Sequence, residues 1–258
     1  MKKELEERKN LAIKAAEEVG SILIQNFKKP LKFKEKSEKQ WVSEVDLKVE
    51  EKIVKMIKRE FPQDDILSEE NTYRIFRSDF KWIIDPLDGT HNYIKGIETF
   101  GSSIALGFKG EVLLGVMYLP VSGELYFAQK DRGAFKNGKR IFVSKRDLNQ
   151  ATIIYDSSIR HRKKEMLFYL GKLVDKVFNI RMFGSTVRGL SYIAEGKIEA
   201  EIEFSDKVWD FAAGLLLVEE AKGEVTDLKG NRWNLDTEEY IASNRIIHRD
   251  ILKLIEGL

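Results

Sequence analysis

The stretch "WIIDPLDGTHNYIKG", residues 82–96, constrains this chain more than any other. Trp82, Ile83 and Ile84 are bulky and lie directly before a turn, so they read as a buried strand. Asp85 and Asp88 follow, with Pro86, Gly89 and Thr90 packed around them. Pro86 fixes φ for a turn, Gly89 permits positive φ, and Asp88 can bond its own backbone. Turn chemistry alone would account for that much. The placement asks for more. Both carboxylates emerge on a rim at the C-terminal end of a strand, where layered α/β proteins hold their ligands. Two unpaired carboxylates there repel each other and need a cation.

The 258 residues suffice for a large core in one or two domains. Lys plus Arg total 44 against 42 for Asp plus Glu, a net charge of +2. That balance argues against a dedicated nucleic-acid or membrane-surface protein. The absence of cysteine excludes disulfides, thiolate chemistry and zinc sites with sulfur ligands. Three histidines, at 91, 161 and 248, are too scattered for a His-rich site. A metal would be held by oxygen, which suits Mg²⁺, Mn²⁺ or Ca²⁺. The start "MKKELEERKN" carries no apolar signal region and no stretch reaches transmembrane length, so the expectation is a soluble, cytoplasmic protein.

Along the chain, apolar spacing predicts helices over about 4–27 and 47–60. Between them "LKFKEKSEKQWV" reads as a charged connector or edge strand. Short strands are expected over 65–68, 81–85, 100–108, 112–119 and 124–129, with Asn137-Gly138 as a hairpin turn. After about residue 150, strands near 152–155, 177–182 and 200–204 alternate with helices near 163–176, 186–194 and 208–221, and Gly223 reads as a helix C-cap. The chain therefore divides into about 1–148, helices plus an antiparallel sheet, and about 149–258, alternating strand and helix. Without repeats or a clear linker, the two subregions are expected to share one continuous core as a single domain.

Further acidic positions join the pair. Glu69 in "ILSEEN" follows a short strand and can reach the rim of Asp85, whereas Glu70 reads as solvated loop. Asp210 in "KVWDFAAGLLLVEEAKG" opens an apolar helix, where a dipole or capping carboxylate is common; Ala212, Ala213 and Gly214 would let that helix pack close. Ser43 and Asp46 have capping-box spacing, and an aspartate in the first turn can also face the site. Gly89-Thr90 begins a helical turn whose N–H groups suit phosphate. "FGSTVRG" supplies a second small-residue turn, with Ser185 or Thr186 as an ordinary N-cap. Carboxylates for two or more hard cations, an anion-binding turn and a hydroxyl are the parts of metal-assisted phosphoester hydrolysis.

"SEE" at 68–70, "WIIDPLDGTHNY" at 82–93, "GAFKNGKRI" at 133–141, "AEGKIEA" at 194–200 and "WDFAAGLLLVEEAKGEVTD" at 209–227 resemble the inositol monophosphatase family across nearly the whole chain. The resemblance implies an αβαβα sandwich of mixed α/β (α+β) class, with an N-terminal antiparallel sheet and a C-terminal mixed sheet. It implies a homodimer that hydrolyses small phosphate monoesters with two or three Mg²⁺, Mn²⁺ being an acceptable substitute. Position by position, it assigns Glu69, Asp85 and the Leu87 carbonyl to one metal and Asp85, Asp88 and Asp210 to a second. Asp46 and Thr90 match the pair that orients water, with Glu69 beside them. The backbone of Gly89 and Thr90 matches the phosphate cradle. Asp88, Gly184, Thr186 and Glu203 match contacts to the hydroxyl-bearing part of the substrate. The lysine before the second helix has two candidates, Lys34 and Lys36. Family substrates include inositol phosphates, fructose 1,6-bisphosphate and 3′-phosphonucleotides, so membership leaves the substrate open, and non-catalytic binding relatives are a further alternative. His91 reads as a polar helix residue. Arg188 and the run Arg160 to Lys164 depart from the pattern: they would attract a second phosphate if they faced the pocket, but a solvated outer surface is the preferred reading.

Overall fold

The computed structural model of the chain describes residues 2–37, 40–73 and 78–255; the side chain of Lys36 falls outside the described residues. Helix α1 (Lys2–Asn26) leads into a hairpin of β1 (Phe33–Ser37) and β2 (Gln40–Ser43), then α2 (Glu44–Glu60), β3 (Asp65–Ser68) and β4 (Thr72–Tyr73). Strand β5 (Phe80–Asp88) carries the aspartate pair into the one-turn α3 (Thr90–Ile94). A meander follows: β6 (Gly101–Phe108), β7 (Glu111–Leu119), β8 (Glu124–Gln129), β9 (Gly133–Lys136) and β10 (Lys139–Ile141). The second half comprises β11 (Thr152–Tyr155), α4 (Lys163–Val174), β12 (Asn179–Arg181), α5 (Thr186–Ala194), β13 (Ala200–Glu203), α6 (Val208–Glu220), β14 (Glu224–Asp227), β15 (Tyr240–Ser243) and α7 (His248–Ile255).

Eight strands pair in the order β10-β9-β8-β7-β6-β5-β3-β4 and five in the order β12-β11-β13-β15-β14. The second sheet is mixed as expected: β11 runs parallel to both β12 and β13, and β15 is antiparallel to β13 and β14. The first is antiparallel except where β3 lies parallel to β5. That exception brings the C-terminal end of β3, with Glu69, beside the end of β5. The charged connector is a two-stranded hairpin of its own.

The layers follow from burial on both faces of the sheets. Trp82 and Ile84 of β5 pack toward α1 and α2, with Val49 and Ile53 among their neighbours. Ile83 points the other way, toward Val187 and Leu190 of α5 and Phe211 and Leu215 of α6. The opposite side of the α5–α6 layer meets Val225, Tyr240 and Ala242 of the second sheet. Beyond that sheet, Ile153, Ile202 and Ile241 pack on Met166 and Leu173 of α4 and Ile251 of α7. The order helix, sheet, helix, sheet, helix is the expected sandwich. A strand buried on both sides reads as a continuous apolar run, which is why "WII" stood out.

Helix α6 needs its small residues. A Cβ on Gly115 of β7 would lie 2.7 Å from the Ala213 backbone, so sheet and helix approach to backbone contact there. At the far end of α6 the sequence reading needs correction. Lys222, not Gly223, takes the left-handed position, with φ 76°. Lys222 N–H donates to Glu219 O and Gly223 N–H to Val218 O, a Schellman closure that tolerates lysine at its left-handed residue. Asn137 and Gly138, with φ of 47° and 75°, close the predicted hairpin.

Candidate active site

The site sits where β5 ends. Asp85 and Asp88 belong to one strand, but its pairing with β6 shifts register between them. The break turns both carboxyl groups toward the gap between α2, α3, α5 and α6. Neither lies on an open rim, as the sequence suggested: Asp85 is 1% exposed and Asp88 7%. Asp85 Oδ1 accepts from the Leu87 N–H at 3.0 Å, so the turn holds its own first aspartate. Gly89 follows with φ 79°, a conformation that opens α3 without a Cβ penalty.

Thr90 is the next fixed point. Its hydroxyl lies 2.9 Å from Asp46 Oδ1 and 3.0 Å from the Leu87 carbonyl. Asp46 is fully buried at the third residue of α2. Its Oδ2 accepts from the Ser43 N–H at 2.9 Å and from the Ser43 hydroxyl, completing the capping box. Asp46 thus makes two sets of contacts: one oxygen caps the helix and the other meets Thr90.

Asp88 is held from the α5 side. It accepts from the Ser185 hydroxyl, from the Thr186 N–H at 2.9 Å and from the Val187 N–H at 3.3 Å, so it anchors the start of α5. Ser185 is the N-cap, accepting from the Arg188 N–H at 3.2 Å. Asn92 of α3 ties down the preceding turn, donating to Phe183 O at 2.8 Å and Gly184 O at 3.2 Å. Asp210 is the third residue of α6, and its Oδ2 accepts from the Lys207 N–H at 2.8 Å.

Burial and like charge act together on these groups. Burial pushes the Asp85 carboxyl well above the usual carboxylate range, and Glu69, Asp210 and Asp88 add repulsion. Asp210 is driven up by burial and then by Asp206 and Glu69. Asp88 reaches about 6 because burial outweighs its hydrogen bonds to Ser185, Thr186 and Val187. Asp46 is raised by burial too, against the opposing bonds from Ser43 and Thr90. The set is short of positive charge. Glu69, Asp85, Asp88, Asp210 and the Leu87 carbonyl are hard oxygen donors of the kind Mg²⁺ prefers, and a divalent ion would offset the repulsion among the carboxylates. Among the described residues no three acidic or histidine side chains are already gathered into a cage, so the fit rests on donor chemistry and charge.

Gly184, Thr186 and Glu203, the positions that the family resemblance implies for substrate contact, line one cavity of about 180 Å³ with Asp88 and Asp210. Arg188 does not join them, nor is it solvated. It is 7% exposed and its guanidinium lies 2.8 Å from Glu124 of β8, above the Tyr192 ring. Helix α5 is sandwiched between sheets, so the side expected to be outer faces a second layer. Arg162 is held by Glu165, Glu239 and the Phe204 carbonyl, while Arg160, Lys163 and Lys164 are exposed. Lys34 is exposed on β1, and His91 is an exposed helix residue edge-on to Trp41.

Sequence reasoning missed Glu50. Buried one turn after Asp46 on α2, it accepts from the Ser68 hydroxyl at 2.5 Å, the Glu70 N–H at 3.0 Å and Asn71 Nδ2 at 2.7 Å. It therefore shapes the loop that carries Glu69, and Glu70 is drawn into that loop rather than simply solvated. Its spacing of four from Asp46, which puts both on one helix face, was the available signal.

The family model for the inositol monophosphatase family matches residues 4–258. A fructose-1,6-bisphosphatase/inositol-1-monophosphatase of Thermotoga maritima is 32% identical, the match covering 96% of each chain. The Nus factor SuhB of Escherichia coli is 35% identical over 91% of this chain and 90% of its own. Among solved structures, the extragenic suppressor protein SuhB of Bartonella henselae superposes with a TM-score of 0.93 at 32% identity, covering 96% of this chain and 98% of that one.

Proposed function

Because this chain belongs to the inositol monophosphatase family, we propose that it hydrolyses small phosphate monoesters of inositol or sugar type with Mg²⁺. The observation that carries the reading is the Thr90–Asp46 hydrogen bond at the edge of a buried, mutually repelling carboxylate set. Glu69, Asp85, Asp88, Asp210 and the Leu87 carbonyl would hold the metal, which supplies Lewis acidity and lowers the pKa of water. The Thr90 hydroxyl has one proton and two acceptors, Asp46 and the Leu87 carbonyl. Donating to Asp46 leaves its oxygen lone pairs to accept from water and fix that water's orientation. Gly89 and Thr90 open α3, where early N–H groups lack helical partners and suit phosphate oxygens. Thr186 and Glu203 would meet the hydroxyl-bearing remainder of the substrate. The chain acts as a homodimer in this reading, which light scattering checks.

Phosphate release from inositol 1-phosphate, fructose 1,6-bisphosphate and adenosine 3′,5′-bisphosphate, measured with Mg²⁺ and with Mn²⁺, tests the proposal. Turnover of inositol 1-phosphate that vanishes on chelation supports it; no release from any of the three sinks it. Fructose 1,6-bisphosphate is the second substrate, supported by the name of the Thermotoga relative. The Nus factor name of the Escherichia relative supports a separate binding role, which would leave hydrolysis intact or replace it; the same panel distinguishes these.

A further inference from the structure

The cavity beside the proposed metal ligands is more acidic than metal binding requires. It is lined by Asp88, Asp156, Glu201, Glu203, Asp206 and Asp210, and among the described residues no Lys, Arg or His lines it. Asp88 and Asp210 belong to the metal set. The other four come from the second half: Asp156 just after β11, Glu201 and Glu203 on β13, and Asp206 in the loop before α6. Nearby cations are committed elsewhere: Arg188 to Glu124, Arg162 to Glu165 and Glu239, and Lys207 to Glu238.

Two of the four are held in place. Asp206 accepts from Tyr240 OH at 2.8 Å and Thr186 Oγ1 at 3.1 Å. Asp156 accepts from the Ser158 N–H at 2.6 Å and the Phe204 N–H at 3.3 Å. Glu201 is different. It is 1% exposed, and its Oε2 has no hydrogen-bond partner among the described residues. A Cβ on Gly189 of α5 would lie 2.2 Å from Glu201 Oε1, so α5 carries glycine where this carboxyl needs room. A buried carboxyl with an unpartnered oxygen is costly unless something completes it.

We propose that this cavity binds the ammonium group of an amino-bearing sugar or cyclitol phosphate, with Glu201 and Asp206 as its principal partners and Asp156 and Glu203 beside them. The inference rests on the phosphatase reading and names the substrate class for that site. An ammonium has three donors and no acceptor, which matches a cavity wall rich in carboxylates. A second phosphate would be repelled. A neutral hydroxyl would fit and could donate to a carboxylate, but it brings no positive charge to offset the cluster. Without a cation, burial first and mutual repulsion next raise Glu201 and Glu203 well above the usual range and Asp206 to about 7, and a bound ammonium would oppose that shift.

The test compares kcat/KM for glucosamine 6-phosphate and glucose 6-phosphate, which differ by one amino group in place of a hydroxyl. A charge-assisted contact makes the expected ratio about tenfold or more in favour of the amine. Glu201→Gln and Asp206→Asn should each pull that ratio toward one, whatever they do to both absolute rates, with thermal melts to verify folding. A wild-type ratio near one, or a ratio unmoved by either variant, overturns the inference and leaves the phosphatase reading standing. If no phosphate ester is hydrolysed, that reading falls instead. Calorimetry with free glucosamine and glucose then decides: tighter glucosamine binding by about tenfold supports the ammonium site, and equal or absent binding rejects it.

Discussion

Helices α2 and α6 approach the site from opposite faces of the eight-stranded sheet, and each has an aspartate as its third residue. Their local sequence does little to distinguish them, since both fit a cap, and it is the family resemblance that gives them different roles. The structure distinguishes them. Asp46 uses both oxygens, one on Ser43 and one on Thr90. Among the described residues Asp210 has one bond, from the Lys207 N–H to Oδ2. A carboxylate already surrounded by donors can orient a neighbour but has little left for a metal; one held by a single donor keeps lone pairs for a ligand. The second turns differ as well. Four residues on, α2 has Glu50, which reaches out to the Glu69 loop, whereas α6 has Gly214, packed against Leu190.

The largest effect should come from Asp210. Asp210→Asn is expected to lower kcat by about a thousandfold or more, the several kcal/mol that a lost metal ligand represents. The same change removes a repelling buried charge, so the metal-free protein should melt at the same temperature or higher. Near-normal kcat at saturating Mg²⁺ would show that Asp210 is only a cap and would erase the contrast with Asp46.

Thr90→Ala and Asp46→Asn come next, each lowering kcat by about a hundredfold or more. The double variant should be little worse than the worse single, because the two act as a unit. Asp46→Asn should also cost about 1 kcal/mol of stability through the weakened cap, and Thr90→Ala should not. Losses that multiply in the double variant would separate the pair and return Asp46 to a purely capping role.

A pH series on metal-free protein sharpens the comparison in energetic terms. Asp88 rises from its usual 3.8 to about 6 in the fold, so the folded protein keeps a proton that the unfolded chain releases. The stability this provides is whole below about pH 4 and is lost as pH rises through about 6, roughly 3 kcal/mol at most. Asp85 and Asp210 shift in the same direction. The melting temperature without metal should therefore climb as pH drops from 7.5 to 5.5, and Mg²⁺ should flatten the slope. A metal-free profile that falls over that range would mean the carboxylates do not repel as the geometry implies.

The smallest change is expected at Glu50, which touches no proposed substrate or metal. Glu50→Gln should raise the Mg²⁺ concentration for half-maximal activity several-fold while kcat at saturation stays within a factor of a few, with about 1–3 kcal/mol lost in stability. Calorimetric Mg²⁺ affinity provides a readout apart from turnover. Unchanged affinity would reduce Glu50 to a structural prop.

What the sequence determined on its own was local. The turn after "WII" forms because Pro86 and Gly89 are competent for it within a few residues, and Asn137-Gly138 closes its hairpin for the same reason. Apolar spacing located the helices that build the layers, and the lack of cysteine left oxygen as the donor. The candidate set Glu69, Asp85, Asp88, Thr90 and Asp210 was legible because strand ends and helix starts announce themselves in short motifs. Tertiary structure decided what depends on partners far along the chain. Asp88 anchors α5 through Ser185, 97 residues away, so it is a buried anchor rather than a rim carboxylate. Arg188 turns to Glu124, 64 residues away, because α5 lies between two sheets and has no open face. Asp156, Glu201 and Asp206 look like ordinary acidic residues until β11, β13 and α6 bring them into one cavity. Short-range chemistry fixes which conformation a segment adopts; which charges are left unmatched depends on every layer packed around them.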